Sequence, residues 1–115
     1  MDAHKLIIVP KNKSIEIEFL NSVDFKESDL IILKLDDSSF YKLWNLKVFS
    51  SINKIADVNI DDFEDESIHD VNKIYLIINY LSTTEYPTET RTIIDKLIFL
   101  FKECLVRKTG IYFYF

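Results

Sequence analysis

The chain has 115 residues, 48% of them hydrophobic, with nine Phe and six Tyr against one Gly and two Pro, and a formal net charge of −5. A second domain is excluded by the length and intrinsic disorder by the apolar content. A lone Gly excludes a glycine-rich phosphate loop, and so few turn residues argue against a many-stranded sandwich.

Leu6 to Val9, closed by Pro10, reads as a strand. Ile15, Ile17 and Phe19 then alternate with Glu16 and Glu18, the period-two pattern of a second strand whose carboxylates face solvent. Leu30 to Leu35 is a third apolar run, completing an antiparallel meander. From Asp36-Asp37-Ser38-Ser39, a choice of N-caps, the period changes. Phe40, Leu43, Trp44, Val48, Ile52 and Ile55 predict a helix over about 39–56, with Trp44 in its core stripe and Asp36 and Asp37 as cap groups.

Ser67-Ile68-His69-Asp70 has capping-box spacing, with Asp in place of Glu. Ile68, Val71, Ile74, Tyr75, Ile78 and Leu81 continue it as a helical stripe. The β-branched and aromatic content of 74–81 keeps a buried strand as the rival reading. Pro87 marks a loop over 82–87. Ile93, Ile94, Leu97, Ile98, Phe101, Cys104 and Leu105 form the cleanest helical stripe, with Gly110 where a left-handed terminator belongs. Ile111 to Phe115 is a final strand, Ile111, Phe113 and Phe115 on one face and Tyr112 and Tyr114 on the other. The expected architecture is one α+β domain over 1–115. It has an antiparallel sheet of about four strands, three N-terminal and one C-terminal, with three helices packed on one face.

The charge is local. Residues 57–70 contain Asp57, Asp61, Asp62, Glu64, Asp65, Glu66 and Asp70 and no Lys or Arg, so this segment carries −7 and the remainder +2. A field of that sign repels nucleic-acid phosphates and attracts a cationic protein surface. Val58, Ile60, Phe63 and Ile68 are interleaved with the acids, which lets the segment pack as an ordered ledge.

Catalytic and metal patterns are weak. Asp57-x-Asn59-x-Asp61 starts like a calcium loop, but Asp62 replaces the turn Gly and Ile68 the bidentate Glu. His4, His69 and Cys104 lack the paired spacing of a zinc site. His69 beside Asp70 has the composition of an oriented base, yet its position in a first helical turn favours a solvated residue. Cys104 on an apolar stripe is expected to be a buried, inert thiol. Neither a metal nor a cofactor is expected, and the chain is expected not to be an enzyme.

The stretch from Met1 to Pro10 lacks a signal-peptide pattern, one cysteine cannot form an internal bridge, and no apolar run approaches the roughly twenty residues of a membrane span. A reducing, cytoplasmic setting without membrane contact is the expectation. In its acidic block from Asp57 to Asp70 and its α+β pattern, the chain resembles the immunity proteins of bacterial contact-dependent growth inhibition systems. That resemblance implies a cognate toxin domain, a nuclease by preference, as a basic protein partner, with no nucleic acid bound. The seven carboxylates from Asp57 to Asp70 would occlude the toxin's basic site. Two alternatives remain: a phage or plasmid inhibitor that mimics nucleic acid, and a small metal-dependent enzyme using the acidic cluster.

Overall fold

The computed structural model describes residues 5–21, 26–62 and 64–115; His4 and Phe63, singled out above, lie outside the described residues. In chain order the elements are β1 (Lys5–Pro10), α1 (Lys13–Asn21), β2 (Leu30–Leu35), α2 (Asp37–Asn45), α3 (Val48–Ala56), β3 (Asp65–Ile68), α4 (Val71–Thr83), α5 (Thr88–Arg107) and β4 (Ile111–Tyr114). The α+β class and the four-stranded antiparallel sheet are as expected. The helix number, the strand set and the one-sided packing are not.

The sheet runs β2-β1-β4-β3, with every neighbouring pair antiparallel. The C-terminal strand is therefore central, with Ile7 opposite Phe113 on one side and Glu66 opposite Phe113 on the other. Only two strands come from the N-terminal part, because the stretch expected to be the second strand is α1. Asn12 decides this: its Oδ1 accepts the Ile15 amide at 2.9 Å and its carbonyl accepts the Glu16 amide at 3.0 Å, which starts a helix. Ile15 and Phe19, four apart, then lie on one helical face against Ile8, Leu30 and Tyr112, while Ile17 and Leu20 are exposed. A five-residue alternation satisfies both periods, so the cap was the discriminating signal. The helices consequently cover both faces of the sheet: α1 one, α2 to α5 the other.

The larger core is built from Ile7, Val9, Ile111 and Phe113 of the sheet against Phe40, Phe49, Ile77, Leu97 and Phe101 of the helices. Burying a side chain of this size contributes roughly 1.5–3 kcal/mol. The strand rival for 74–81 is excluded, since α4 spans it and buries Ile74, Ile77 and Leu81 on one stripe. Its N-cap is Asp70, whose Oδ1 accepts the amides of Asn72 (3.0 Å) and Lys73 (3.2 Å), so Ser67 belongs to β3 instead of to a capping box.

The helix expected over 39–56 is two. Asp36 caps α2 by accepting the Ser39 amide at 2.7 Å, as its position suggested, but the chain breaks at Lys47, which adopts a left-handed conformation (φ 65°, ψ 22°). A non-glycine residue there carries strain. Lys47→Gly is expected to stabilise the fold by about 0.5 kcal/mol, the relief of strain exceeding the extra freedom given to the unfolded chain. A rise in the urea midpoint at constant slope checks this, and a fall would contradict it. At the end of α5 the left-handed residue is Lys108 (φ 58°), not Gly110.

Gly110 is instead a point of close side-chain approach. A Cβ at this position would stand 2.4 Å from the His69 ring and 3.1 Å from Glu16 Oε2. Glu16, expected on a solvated face, is 1% exposed. Its Oε2 accepts the Gly110 amide at 2.6 Å and the Tyr112 hydroxyl at 2.8 Å, and its Oε1 accepts Lys13 Nζ at 3.0 Å. This carboxylate ties α1 to the entry of β4. Glu18 is exposed.

Candidate functional site

The acidic segment is a folded ledge, and its order has a local cause at each step. Asp57 ends α3 in a left-handed conformation (φ 55°), exposed to solvent. Asn53, on the last turn of α3, then grips Ile60 from both sides: its Nδ2 donates to the Ile60 carbonyl at 3.0 Å and its Oδ1 accepts the Ile60 amide at 2.7 Å. The Ile60 side chain is 2% exposed and anchors the turn in the core. Asn59 closes the turn, its amide donating to Glu66 Oε2 at 3.0 Å and its Nδ2 to Glu64 Oε2 at 3.3 Å. Asn59 is thus occupied inside the ledge and not arranged as a calcium-loop ligand. Among the described residues no three His, Cys, Asp or Glu side chains are grouped to hold a metal ion.

Asp61 is half-buried and its Oδ1 accepts the Asp62 amide at 2.8 Å. Asp62 is paired with Lys5 Nζ, whose side chain is 11% exposed and lies 4.6 Å from the centre of the Phe40 ring. The pair fixes the ledge to β1. Glu64 and Asp65 are exposed; the Glu64 carbonyl accepts the Phe115 amide at 3.4 Å. Asp65 opens β3 opposite Tyr114, and the Tyr114 hydroxyl is held above its ordinary pKa by burial and by that carboxylate. Glu66 also accepts the Ser67 amide through Oε1 at 3.0 Å. A strand with three acids in or beside it presents a charged border on the outer edge of the sheet, which discourages pairing with a further strand. Asp70 lies past β3 as the exposed cap of α4.

The structure therefore gathers Asp61, Asp62, Glu64, Asp65 and Glu66 around Asn59 and β3, while Asp57 and Asp70 serve helix ends on either side. Aromatic residues adjoin this group. Tyr41 is 48% exposed, and its hydroxyl donates to Asp62 Oδ2 at 3.4 Å. Trp44, expected in the core, is 38% exposed and stacks on Phe40 with centroids 5.8 Å apart. Flat aromatic surface beside carboxylates is the composition that anchors protein partners. Its sequence signal was the position of Tyr41 and Trp44 at the border of the α2 stripe.

The remaining candidates are elsewhere. His69 is exposed, with Nε2 3.2 Å from Ser67 Oγ and Nδ1 3.9 Å from Glu16 Oε2. Asp70 does not orient it, because that carboxylate serves the α4 amides. Cys104 is buried; burial, with the Glu16 charge adding to it, pushes its thiol up to about 12, and Sγ lies 2.6 Å from the Thr109 carbonyl. It is not poised as a nucleophile. Among the described residues no helix is long and apolar enough to cross a membrane.

No family model matches the sequence, and no curated protein matches it by sequence. Among solved structures the fold is similar to that of the Neisseria DNA mimic protein DMP12, with a TM-score of 0.69 over 98% of this chain and 100% of that one, at 14% sequence identity. At that identity the likeness is one of fold. The expected partner, a basic cognate toxin domain with no nucleic acid bound, is corrected by this match: the solved protein that shares the fold is described as a DNA mimic.

Proposed function

We propose that this protein is a nucleic-acid mimic, a binding protein and not an enzyme, which occupies the DNA-binding surface of a partner protein. The observation that carries the reading is the pinned ledge, in which Asp57, Glu64 and Asp65 are exposed and Asp61 half-buried on backbone fixed by Asn53, Asn59 and Lys5. The fold shared with a protein described as a DNA mimic supports it.

The mechanism follows from what a DNA-binding surface recognises. Most of its contacts go to phosphates, through Lys, Arg and backbone amides, and carry no sequence information. Carboxylates held at the surface of a rigid protein offer the same negative acceptors. Because side chains and loop are already ordered, little conformational freedom is lost on docking. Long-range attraction steers the encounter, and Tyr41 and Trp44 add apolar contact that phosphates lack. Duplex DNA should therefore displace the protein from purified DNA-binding proteins of its own cell in a competitive manner, and raising the salt should weaken both complexes together. Ternary complexes with DNA would overturn the proposal.

A further inference from the structure

Beyond β3 lies a surface of the opposite chemistry. A cavity of about 410 Å³ opens where the end of α5 meets the first turns of α4 and α1, within the range of about 300–1,000 Å³ usual for small-molecule sites. Ile74, Cys104 and Gly110 are its buried floor, and the exposed side chains of Val71 and Tyr75 extend the apolar wall. Lys13, Lys108 and His69 stand around it, all exposed. No Asp or Glu lines it, in a protein where acids outnumber Lys and Arg by 19 to 14.

Glu16, behind Gly110, is already engaged by the Gly110 amide, the Tyr112 hydroxyl and Lys13, and Asp70, next to His69, is engaged by the α4 amides. Lys108 is different. It is held at the mouth by its left-handed backbone, and its ammonium has no hydrogen-bond or ion-pair partner among the described residues. An apolar recess with the unpaired Lys108 ammonium at its mouth, and beside it a Lys13 shared with Glu16, suits a ligand that is anionic at one end and hydrocarbon at the other.

We infer that this cavity binds a small amphiphilic anion, its head on Lys108 with Lys13 beside it and its tail along Val71, Tyr75 and Ile74. The test is titration of the full-length, isotope-labelled protein by amide NMR with octanoate, octyl phosphate and, as the uncharged arm, octanol. The expected result is saturable shifts at Val71, Leu105, Lys108 and Gly110, with at least one anion binding about fivefold or more tightly than octanol, and the rank of octanoate against octyl phosphate separates the two head-group sources. Lys108→Gln is expected to remove that advantage without changing octanol binding. Val71→Trp, at an exposed position that tolerates bulk, is expected to block every ligand while the spectrum stays folded. Shifts scattered elsewhere, equal binding of octanol and the anions, or undiminished binding in Val71→Trp would overturn the site.

Discussion

Replacing Glu16 by Ala is expected to lower stability by about 2–4 kcal/mol, the largest loss from any single carboxylate in the described structure. The side chain is buried and accepts from three donors, two of which, the Gly110 amide and the Tyr112 hydroxyl, are themselves buried. Truncation leaves both without an acceptor, at about 1–3 kcal/mol each, offset in part by no longer burying a carboxylate. Glu16→Gln keeps one acceptor for these donors and should lose less. Urea denaturation of the two variants checks the order; an Ala variant within about 0.5 kcal/mol of the parent would contradict the account.

The same group sets a pH dependence. Burial alone would raise the Glu16 pKa, but the Gly110 amide outweighs it together with the Lys13 ammonium and the Tyr112 hydroxyl, leaving the carboxyl below its ordinary value of 4.5. His69 and Cys104 also face it, and burial followed by the hydrogen bond to Glu16 pushes the Tyr112 hydroxyl well above its usual range. A carboxyl depressed in the folded state contributes stability that is fully present above its unfolded value and is lost as the pH falls through the folded one. Stability should thus decline as the pH falls below about 4.5, and the Glu16→Gln variant should show a shallower decline over that window.

The second large effect is on binding. Changing Asp57 and Asp61 to Asn, Asp65 to Asn and Glu64 to Gln removes four charges with almost no change of shape, and leaves Asp62 to Lys5 and Glu66 to its two amides. At roughly 0.2–1 kcal/mol per exposed charge pair, affinity for the DNA-binding partner should fall by about fourfold to several hundredfold, chiefly through a slower association rate. Stability should stay within about 0.5 kcal/mol, as is usual for surface changes. Surface-resonance kinetics separate these effects, and an unchanged association rate would remove the ledge from the interface.

Much of the fold was legible where the pattern was long. The α5 stripe from Ile93 to Leu105 spans several turns, and the two-faced sorting of Ile111, Phe113, Tyr112 and Tyr114 matches the two cores. Short patterns misled. Five alternating residues around Glu16 read as a strand until the Asn12 cap is counted. Asp65 to Ser67 did not read as a strand because acids are rare in strands, and its pairing with Tyr112 to Tyr114 joins residues far apart in sequence. The acidic segment itself was visible from composition alone. That it is a ledge depends on Asn53, whose side chain holds the backbone of Ile60 seven residues on, and on Asn59, whose amide donates to the Glu66 side chain seven residues on, relations no local period displays. The Glu16 site was invisible for the same reason, since Gly110 and Tyr112 reach it only through the fold.

Hydrogen exchange of this protein, alone and bound to a DNA-binding partner, tests the central claim most directly. Amides of the ledge from Asp57 to Ser67 and of α2 around Tyr41 and Trp44 are expected to slow on binding, and duplex DNA is expected to restore their free rates. Protection confined to the outer faces of α4 and α5, with the ledge exchanging as in the free protein, would contradict it.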